Sequence, residues 1–208
     1  VSELSAGHTY VSGGDLEQAK NRTNGFLGID WALDNDRYKV KRIVQSAAWD
    51  NEVRSPLENS GINIREGDYI LSVNGRELDP AIDPYAMFEG LAGKAVPLRV
   101  NSKPTLEGSR EVIVKTLQPH EEARLRHLEW IEGNRKKVEE LSGGQLGYMY
   151  MPNTGTQGQT ELMRQFYAQI DKKGFVIDER FNAGGQLGDR FIEMLNRPNI
   201  YNIAWRNA

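Results

Sequence analysis

The sequence predicts an α+β fold in which a small β-rich domain is followed by a segment of alternating strands and helices. Residues 25–117 contain short runs rich in β-branched and aromatic residues, separated by Gly, Asn and Asp, which is the pattern of a small β domain. A charged stretch with helical spacing follows at 118–145, and residues 146–208 read strand, helix, strand, helix. That βαβα order is typical of part of an α/β domain.

The bulk composition is that of a folded, soluble protein and excludes several classes. Of 208 residues, 38% are hydrophobic and 26% are charged, which allows one or two domains with a hydrophobic core. A net charge of -3 argues against a nucleic-acid binder, and no apolar run reaches the ~18 residues of a membrane span. There are no cysteines, which excludes disulfides and thiolate metal sites. We expect no cofactor, metal, nucleic acid or membrane segment, and the compartment stays open between the cytoplasm and periplasm of a prokaryote.

The first 24 residues are small and polar and contain His8. Tyr10 and Val11 follow it as an apolar pair, which predicts the end of a strand, and a short helix is expected from Asp15. The opening residues show no basic stretch followed by a long apolar one, so no secretion signal is recognised there.

Turn residues divide the β-rich region into elements. The segment Asp34-Asn35-Asp36 separates two predicted strands and has the composition of a hairpin turn, and Asn74-Gly75 is a second turn of this kind. Ser55, Pro56 and Gly61 predict the cap, first turn and end of a helix. The spacing of apolar residues predicts a further helix at 84–91. The predicted strands of this region cover residues 26–31, 38–44, 69–73, 96–100 and 112–117.

The second half of the chain begins with one long amphipathic helix, predicted over 119–142. Its charges indicate a solvated face, on which we expect His120 and His127 to face solvent. Strands are then predicted at 146–151 and 175–178, and helices at 160–170 and 187–195. The second strand is a short continuous apolar run, typical of a buried strand in a parallel sheet. Two strands and two helices are not expected to cover both faces of their sheet.

The segment LENSGINIREGDYILSVNG at 57–75 resembles the helix, strand and turn signature of bacterial PDZ domains. Upstream, the segment GFLGI at 25–29 resembles the carboxylate-binding loop of that family. The resemblance implies that residues 25–117 form a PDZ-type β-sandwich or partial barrel with two helices, which binds a peptide or the C terminus of a substrate.

The chemistry of the loop fits peptide binding. Gly28 lets the backbone turn tightly, so that successive amide hydrogens can point at a terminal carboxylate. The strand after it would offer its edge to a peptide strand, and the helix at 84–91 would form the opposite wall. The candidate peptide-binding residues are therefore Phe26, Leu27, Gly28, Ile29, Tyr85 and Phe88. Two alternatives stay open: the apolar side chains are ordinary core residues, or neighbouring segments block the groove.

Three other segments resemble tricorn-type core peptidases, which are relatives of the C-terminal processing peptidases. They are ELSAGHTY at 3–10, the helix end and strand VEELSGGQLGYMYMP at 138–152, and VIDERFNAGG at 176–185. The resemblance covers essentially the whole chain. It implies four regions: a catalytic N-terminal part at 1–24, the PDZ domain at 25–117, a linking helix at 118–145 and a partial α/β catalytic domain at 146–208.

By this resemblance, His8 is the general base that takes a proton from a serine hydroxyl, a role that suits an imidazole with a pKa near ~6.5. Gly185 would present a backbone N–H to the oxyanion, with Gly184 as the nearest alternative. The plainer interpretation is that His8 is a surface residue near a terminus and that the two glycines only form a turn between a strand and a helix.

The sequence departs from the family pattern in two ways. Gly7 stands where family members commonly have a serine before the histidine, although Ser5 is near. No serine lies in a Gly-x-Ser-x-Gly elbow, and the resemblance places the nucleophile and an acidic partner beyond Ala208.

We therefore expect a fragment of a serine endopeptidase or carboxypeptidase that is inactive alone. Its parent would hydrolyse peptides or unfolded proteins, and the resemblance implies a homo-oligomer. The alternative is a non-catalytic PDZ peptide-binding or scaffold module. A metal-dependent hydrolase has little support, because no His-Glu-x-x-His motif occurs.

Overall fold

A computed structural model describes residues 13–14 and 23–196, which divide into two compact units. The first unit contains the described residues up to 43 together with 56–122, and the second contains 44–55 and the described residues from 123 onward. His8 lies outside the described residues. The chain therefore mixes α and β structure, with an antiparallel sheet in the first unit and a parallel pair of strands in the second.

The first unit is built on six antiparallel strands. They are β1 (Ile29–Asp34), β2 (Arg37–Ile43), β3 (Tyr69–Val73), β4 (Arg76–Glu77), β5 (Ala95–Asn101) and β6 (Arg110–Lys115). Their order in the sheet is β1-β2-β3-β5-β6, and β4 pairs with β3 alone. Among the described strands, β1 is therefore one edge of the sheet. An edge position is what addition of a peptide strand requires.

Two hairpin turns form where the sequence predicts them. Asn35 and Asp36 join β1 to β2 with φ of 49° and 53°, and Asn74 and Gly75 join β3 to β4 with φ of 50° and 75°. Positive φ at both central residues is the type I′ geometry, whose twist matches that of the flanking strands. Asn, Asp and Gly tolerate this conformation better than other residues.

The two predicted helices of this unit are shorter than expected. They are single 3-10 turns at Pro56–Glu58 and Pro84–Phe88. The second begins where the Asp83 carboxylate accepts a hydrogen bond from the Tyr85 amide at 2.8 Å. It ends because Glu89 is extended and Gly90 is left-handed, with φ of 73°. The segment is thus stopped before it completes two α-helical turns.

The core of the first unit follows the two-residue period of its strands. On β5 and β6 the inward residues are almost fully buried, whereas Ile113 on the opposite face is 62% exposed. The central members of this core are Leu27, Ile29, Val40, Ile70, Val73, Phe88, Leu98, Val100 and Val114.

The second unit combines two parallel strands with three helices. The strands are β7 (Leu146–Tyr150) and β8 (Gly174–Asp178), and the helices are α1 (Pro119–Leu141), α2 (Thr156–Tyr167) and α3 (Gly188–Leu195). Helix α2 begins four residues earlier than predicted. The reason is that the Asn153 side chain accepts hydrogen bonds from the amides of Gly155 and Gly158, both at 3.0 Å. Asn153 therefore caps the first turn of α2, although it lies before the helix and the sequence interpretation did not identify it as a cap.

Strand β7 is covered on both faces. Tyr148 and Tyr150 pack in the cluster that contains Leu128 and Ile131 of α1. The alternate residues Met149 and Met151 pack with Leu162 of α2 and Phe191 of α3. Strand β8 is less protected, since its residue Val176 is 40% exposed. Helices α2 and α3 thus cover one face of β7, and α1, which precedes the strand–helix–strand–helix segment, covers the other. This agrees with the expectation that the two strands and two helices do not cover both faces of their sheet by themselves.

The outer edge of β7 is paired with side chains. Gln165 accepts from the Tyr150 amide at 2.8 Å and donates to the Tyr150 carbonyl at 3.1 Å. Gln169 makes the same two bonds to Tyr148, at 3.1 and 3.0 Å. Each glutamine therefore satisfies one donor and one acceptor, as a neighbouring strand would.

Within the described part of the chain, no helix has the length and apolar character needed to cross a membrane.

Candidate peptide-binding and oxyanion sites

The loop before β1 is anchored by backbone hydrogen bonds. The Phe26 amide donates to the Leu117 carbonyl at 3.0 Å, and the Leu117 amide returns a bond to the Phe26 carbonyl at 2.8 Å. The Gly25 amide donates to the Phe88 carbonyl at 2.9 Å. Leu117 follows β6, and Phe88 is the last residue of the 3-10 turn at Pro84–Phe88. The backbone of the loop is therefore tied to both elements.

Leu27 and Gly28, the two residues after Phe26, have backbone amides without a hydrogen-bond partner among the described residues. Gly28 adopts a φ of 68°, so the chain turns sharply there. Leu27 and Gly28 are both buried, yet neither backbone N–H donates a hydrogen bond to any residue that the structure describes. Buried amides are nearly always paired, so two consecutive donors in a turn with no described partner are a candidate site for an anionic oxygen.

A groove of about 330 Å³ lies beside β1 and the 3-10 turn. Trp31 is central to it, with ring centroids 5.9 Å from Tyr38, 6.5 Å from Tyr85 and 6.2 Å from Phe88. Phe26 approaches Tyr85 at 5.5 Å. Part of the groove wall is therefore aromatic.

The predicted peptide-binding residues fall into two groups. Leu27, Ile29 and Phe88 have side chains that are at most 3% exposed and belong to the core, so these side chains are not available to a ligand. Phe26 and Tyr85 are half-buried at the groove side. The sequence interpretation missed Trp31 and Asp83 as groove residues. The two-residue period from Ile29 would have placed Trp31 on the same face of β1.

The glycine turn after β8 is held against residues 152–155. The Thr154 amide donates to the Gly184 carbonyl at 2.9 Å, and the Ala183 amide donates to the Pro152 carbonyl at 3.0 Å. Gly185 has a φ of 152°, and a Cβ there would lie 2.4 Å from the carbonyl carbon of Thr154. A glycine is thus required by close packing of the two backbones.

The two glycines differ in their amides. The Gly184 N–H donates to the Asn182 side chain at 2.7 Å. The Gly185 N–H makes no hydrogen bond to any of the described residues, and Gly185 is exposed. Of the two candidates for an oxyanion donor, Gly185 is the one whose amide is available.

An ion pair stands at the end of β8, directly before this turn. Asp178 is 7% exposed and is bound by Arg180 at 2.5 and 2.9 Å. The Tyr148 hydroxyl donates to the same carboxylate at 2.6 Å. The hydrogen bonds from Arg180 lower the pKa of Asp178 to about 2, against the opposing effect of burial, and the bond from Tyr148 lowers it further. Burial, followed by the bond to Asp178, raises the pKa of Tyr148.

These groups serve to hold structure rather than to exchange protons, because Asp178 stays an anion and Tyr148 stays a phenol at neutral pH. The Asp178 carbonyl also accepts from the Met151 amide at 2.9 Å, so the end of β8 is fixed where the glycine turn begins. Sequence reasoning used Asp178 only as part of a motif, although a carboxylate at the end of a buried strand indicates an ionic contact.

The expectation that His127 faces solvent is wrong. Its ring is half-buried, stacked on Trp130 at 5.5 Å and edge-on to Tyr150 at 4.9 Å. Burial, followed by the charge of Arg124, lowers the pKa of His127, while Asp178 acts in the opposite direction. His120 is exposed, as expected. In the described ranges no group of three or more His, Asp or Glu side chains is placed to hold a metal ion.

These features define a chain with an antiparallel domain, in which two buried loop amides have no described partner beside an edge strand, and an α/β unit with an exposed glycine-turn amide that has no described partner. Residues 25–119 match the family model described as the tricorn protease PDZ domain. This part of the chain is a PDZ domain of the tricorn type.

The similarity to tricorn proteases extends over nearly the whole chain. A putative tricorn protease homolog 2 of Streptomyces coelicolor is 33% identical over 201 residues, which are 95% of this chain and 17% of the relative. A putative Tricorn-like protease C-terminal subunit of Sulfurisphaera tokodaii is 32% identical over 209 residues, which are 99% of this chain and 23% of the relative.

The crystal structure of the tricorn protease superposes with a TM-score of 0.79 at 28% identity, covering 98% of this chain and 20% of that one. The chain is thus similar over nearly its whole length to one segment of tricorn proteases, and it contains a PDZ domain of the tricorn type. It spans 17% to 23% of the length of the two relatives named above.

Proposed function

We propose that this chain is the PDZ-bearing segment of a tricorn-like serine peptidase that captures peptides by their C termini. The observation that carries the proposal is the amide of Gly185, which has no described partner in a turn where the amides of Asn182, Ala183 and Gly184 are all bonded. In this proposal residues 25–117 are a partial barrel of PDZ type, and β7, β8 and the helices around them belong to the catalytic α/β domain. The regions 1–24 and 118–145 are its histidine segment and linking helix.

Capture of a peptide uses the loop and the edge strand. The terminal carboxylate accepts hydrogen bonds from the amides of Leu27 and Gly28, and the peptide backbone then adds as a strand beside β1. The aromatic groove beside β1 receives alternate side chains of the added strand. Peptides and unfolded proteins with free C termini are the expected substrates.

Hydrolysis requires a group that these residues do not supply. His8 would take the proton from a serine hydroxyl as that oxygen attacks the peptide carbonyl, and the Gly185 amide would stabilise the oxyanion, an effect worth ~10²- to 10³-fold in rate. Because no serine of this sequence lies in a nucleophile elbow, we place the nucleophile in another part of a longer protein. The chain would then be inactive alone, and assembly of several copies would form the working peptidase.

The test is a pair of histidine variants in a longer protein that contains this segment. His8→Ala should lower turnover of a peptide substrate by about 10²- to 10⁴-fold, while affinity for a peptide C terminus is unchanged. His120→Ala is the matched control, because His120 is exposed, and it should retain both properties. Equal turnover in His8→Ala and the unmodified protein would refute the role of His8. Cleavage of peptides by the 208-residue chain itself would refute its inactivity.

The second candidate is a non-catalytic peptide-binding module. It is favoured by the free amides of Leu27 and Gly28, which lie together with the edge strand inside one unit. The same experiment separates the two functions. A longer protein that binds free C termini but turns over no substrate, with or without His8, would establish the binding module.

A further inference from the structure

We propose that the groove beside β1 selects a lysine or arginine at the third residue from the peptide's C terminus. This inference rests on the proposed capture of peptide C termini by the loop at 25–29. It adds a substrate class, because the proposed function alone does not distinguish one peptide from another.

The geometry of strand addition assigns the position. The free amides of Leu27 and Gly28 precede β1, so a carboxylate bound there lies at the N-terminal end of the strand. The peptide must then run antiparallel to β1, with its last residue beside Ile29 and its third-last beside Trp31. Side chains that are opposite each other in an added strand lie on the same face. The third-last side chain therefore enters the groove that contains Trp31.

The groove has the chemistry of a cation site. Its lining includes the aromatic residues Trp31, Tyr38 and Tyr85 and the acidic residues Asp30 and Asp83, and none of the described Lys, Arg or His residues lines it. The Tyr38 hydroxyl donates to the Ile82 carbonyl at 2.9 Å, which fixes that ring. Aromatic faces attract ammonium and guanidinium groups.

The two carboxylates differ in their partners. Asp30 forms an ion pair with Arg42 of β2 at 2.8 Å. Asp83 is exposed and accepts a hydrogen bond from the Tyr85 amide at 2.8 Å, and it forms no ion pair with any cation of the described residues. A lysine or arginine in the groove would neutralise Asp83 while it packs on an aromatic ring. A neutral side chain leaves that charge unpaired, and an acidic one is repelled by it.

The experiment compares three peptides on the 208-residue chain. Fluorescein-labelled hexapeptides with free C termini carry lysine, norleucine or glutamate at the third-last position and are otherwise identical. Fluorescence anisotropy at low salt should show lysine binding about fivefold more tightly than norleucine, and glutamate binding more weakly than either. The preference for lysine should shrink at high salt, because an exposed ion pair is screened.

A charge variant tests whether Asp83 is responsible. Asp83→Asn removes the charge and keeps an oxygen that accepts from the Tyr85 amide, so the ratio of lysine to norleucine affinity should approach one. Glu111→Gln, on the exposed face of β6 at the opposite edge of the sheet, removes one charge elsewhere and should keep the ratio.

The outcomes separate this inference from the function on which it rests. Equal affinity for all three peptides, together with a loss of binding when the C terminus is amidated, overturns the cation preference and leaves C-terminal capture in place. Equal binding of free and amidated peptides overturns the capture itself. If the Asp83→Asn chain fails to fold, the three peptides on the unmodified chain still decide the question.

Discussion

At the scale of single residues, the carboxylate of Asp178 is held by Arg180 and by the Tyr148 hydroxyl. Because its pKa is lowered to about 2 from the ordinary 3.8, the folded state holds its proton less tightly than the unfolded chain does. The resulting stabilisation, about 2 kcal/mol, is present above pH 3.8 and is lost as the pH falls through 2.

We expect Asp178→Asn to lower the free energy of unfolding by about 2 kcal/mol at pH 7 and to flatten its pH dependence in that acidic window. Urea denaturation followed by circular dichroism between pH 2 and 7 measures both effects. Asp171→Asn is a suitable control because Asp171 is exposed, and it should change neither. An Asp178→Asn profile that parallels the unmodified chain would contradict the assignment.

At the scale of elements, the edge of β7 depends on two glutamines rather than on a further strand. Gln165→Leu would leave the N–H and the carbonyl of Tyr150 without partners in a buried position. We expect a loss of about 2–4 kcal/mol in unfolding free energy, since each buried group left unpaired costs ~1–3 kcal/mol.

Chemical denaturation of Gln165→Leu against Gln157→Leu measures this loss. Gln157 lies on the same helix, α2, and its one hydrogen bond, from the Asn153 side chain, is exposed. Water can replace that bond, so the free energy of unfolding of Gln157→Leu should be nearly unchanged. Similar stability of the two variants would mean that water satisfies the β7 edge equally well.

The elements that the sequence predicted correctly are those whose signals are local. Asn35-Asp36 and Asn74-Gly75 favour positive φ wherever they occur, so both hairpins followed from composition alone. By contrast, the start of α2 depends on the Asn153 side chain, which is outside the helix. The spacing of apolar residues along α2 does not show where the helix begins.

For the candidate sites, too, local signals were predicted correctly and features that depend on tertiary contacts were not. The glycine turn could be located from its motif, but only the hydrogen bond from Gly184 to Asn182 decides which amide is free. His127 was placed on a solvated face because its helix is charged, whereas Trp130 and Tyr150 bury it through contacts between distant segments. Contacts of this kind depend on tertiary packing, which spacing along one element does not encode.

At the scale of the whole molecule, the residues proposed for peptide capture and the glycine proposed as oxyanion donor belong to different units of the chain. The proposed capture uses only the loop amides and the β1 edge. A ligand that binds a segment only while it is closed opposes local opening of that segment, by about 2.7 kcal/mol at a hundredfold excess over Kd. We therefore expect a free-carboxylate peptide to slow hydrogen exchange in residues 27–34 and to leave residues 182–188 unchanged.

Hydrogen exchange followed by mass spectrometry tests this expectation on the intact chain, with the amidated form of the same peptide as the control. Protection that is confined to 27–34 and depends on the free carboxylate would place the peptide on β1. Protection of 182–188 alone would instead indicate that the glycine turn binds the carboxylate through Gly185. That amide is exposed and has no partner among the described residues, so this result would assign carboxylate binding to Gly185 and would refute the proposed role of β1 in capture.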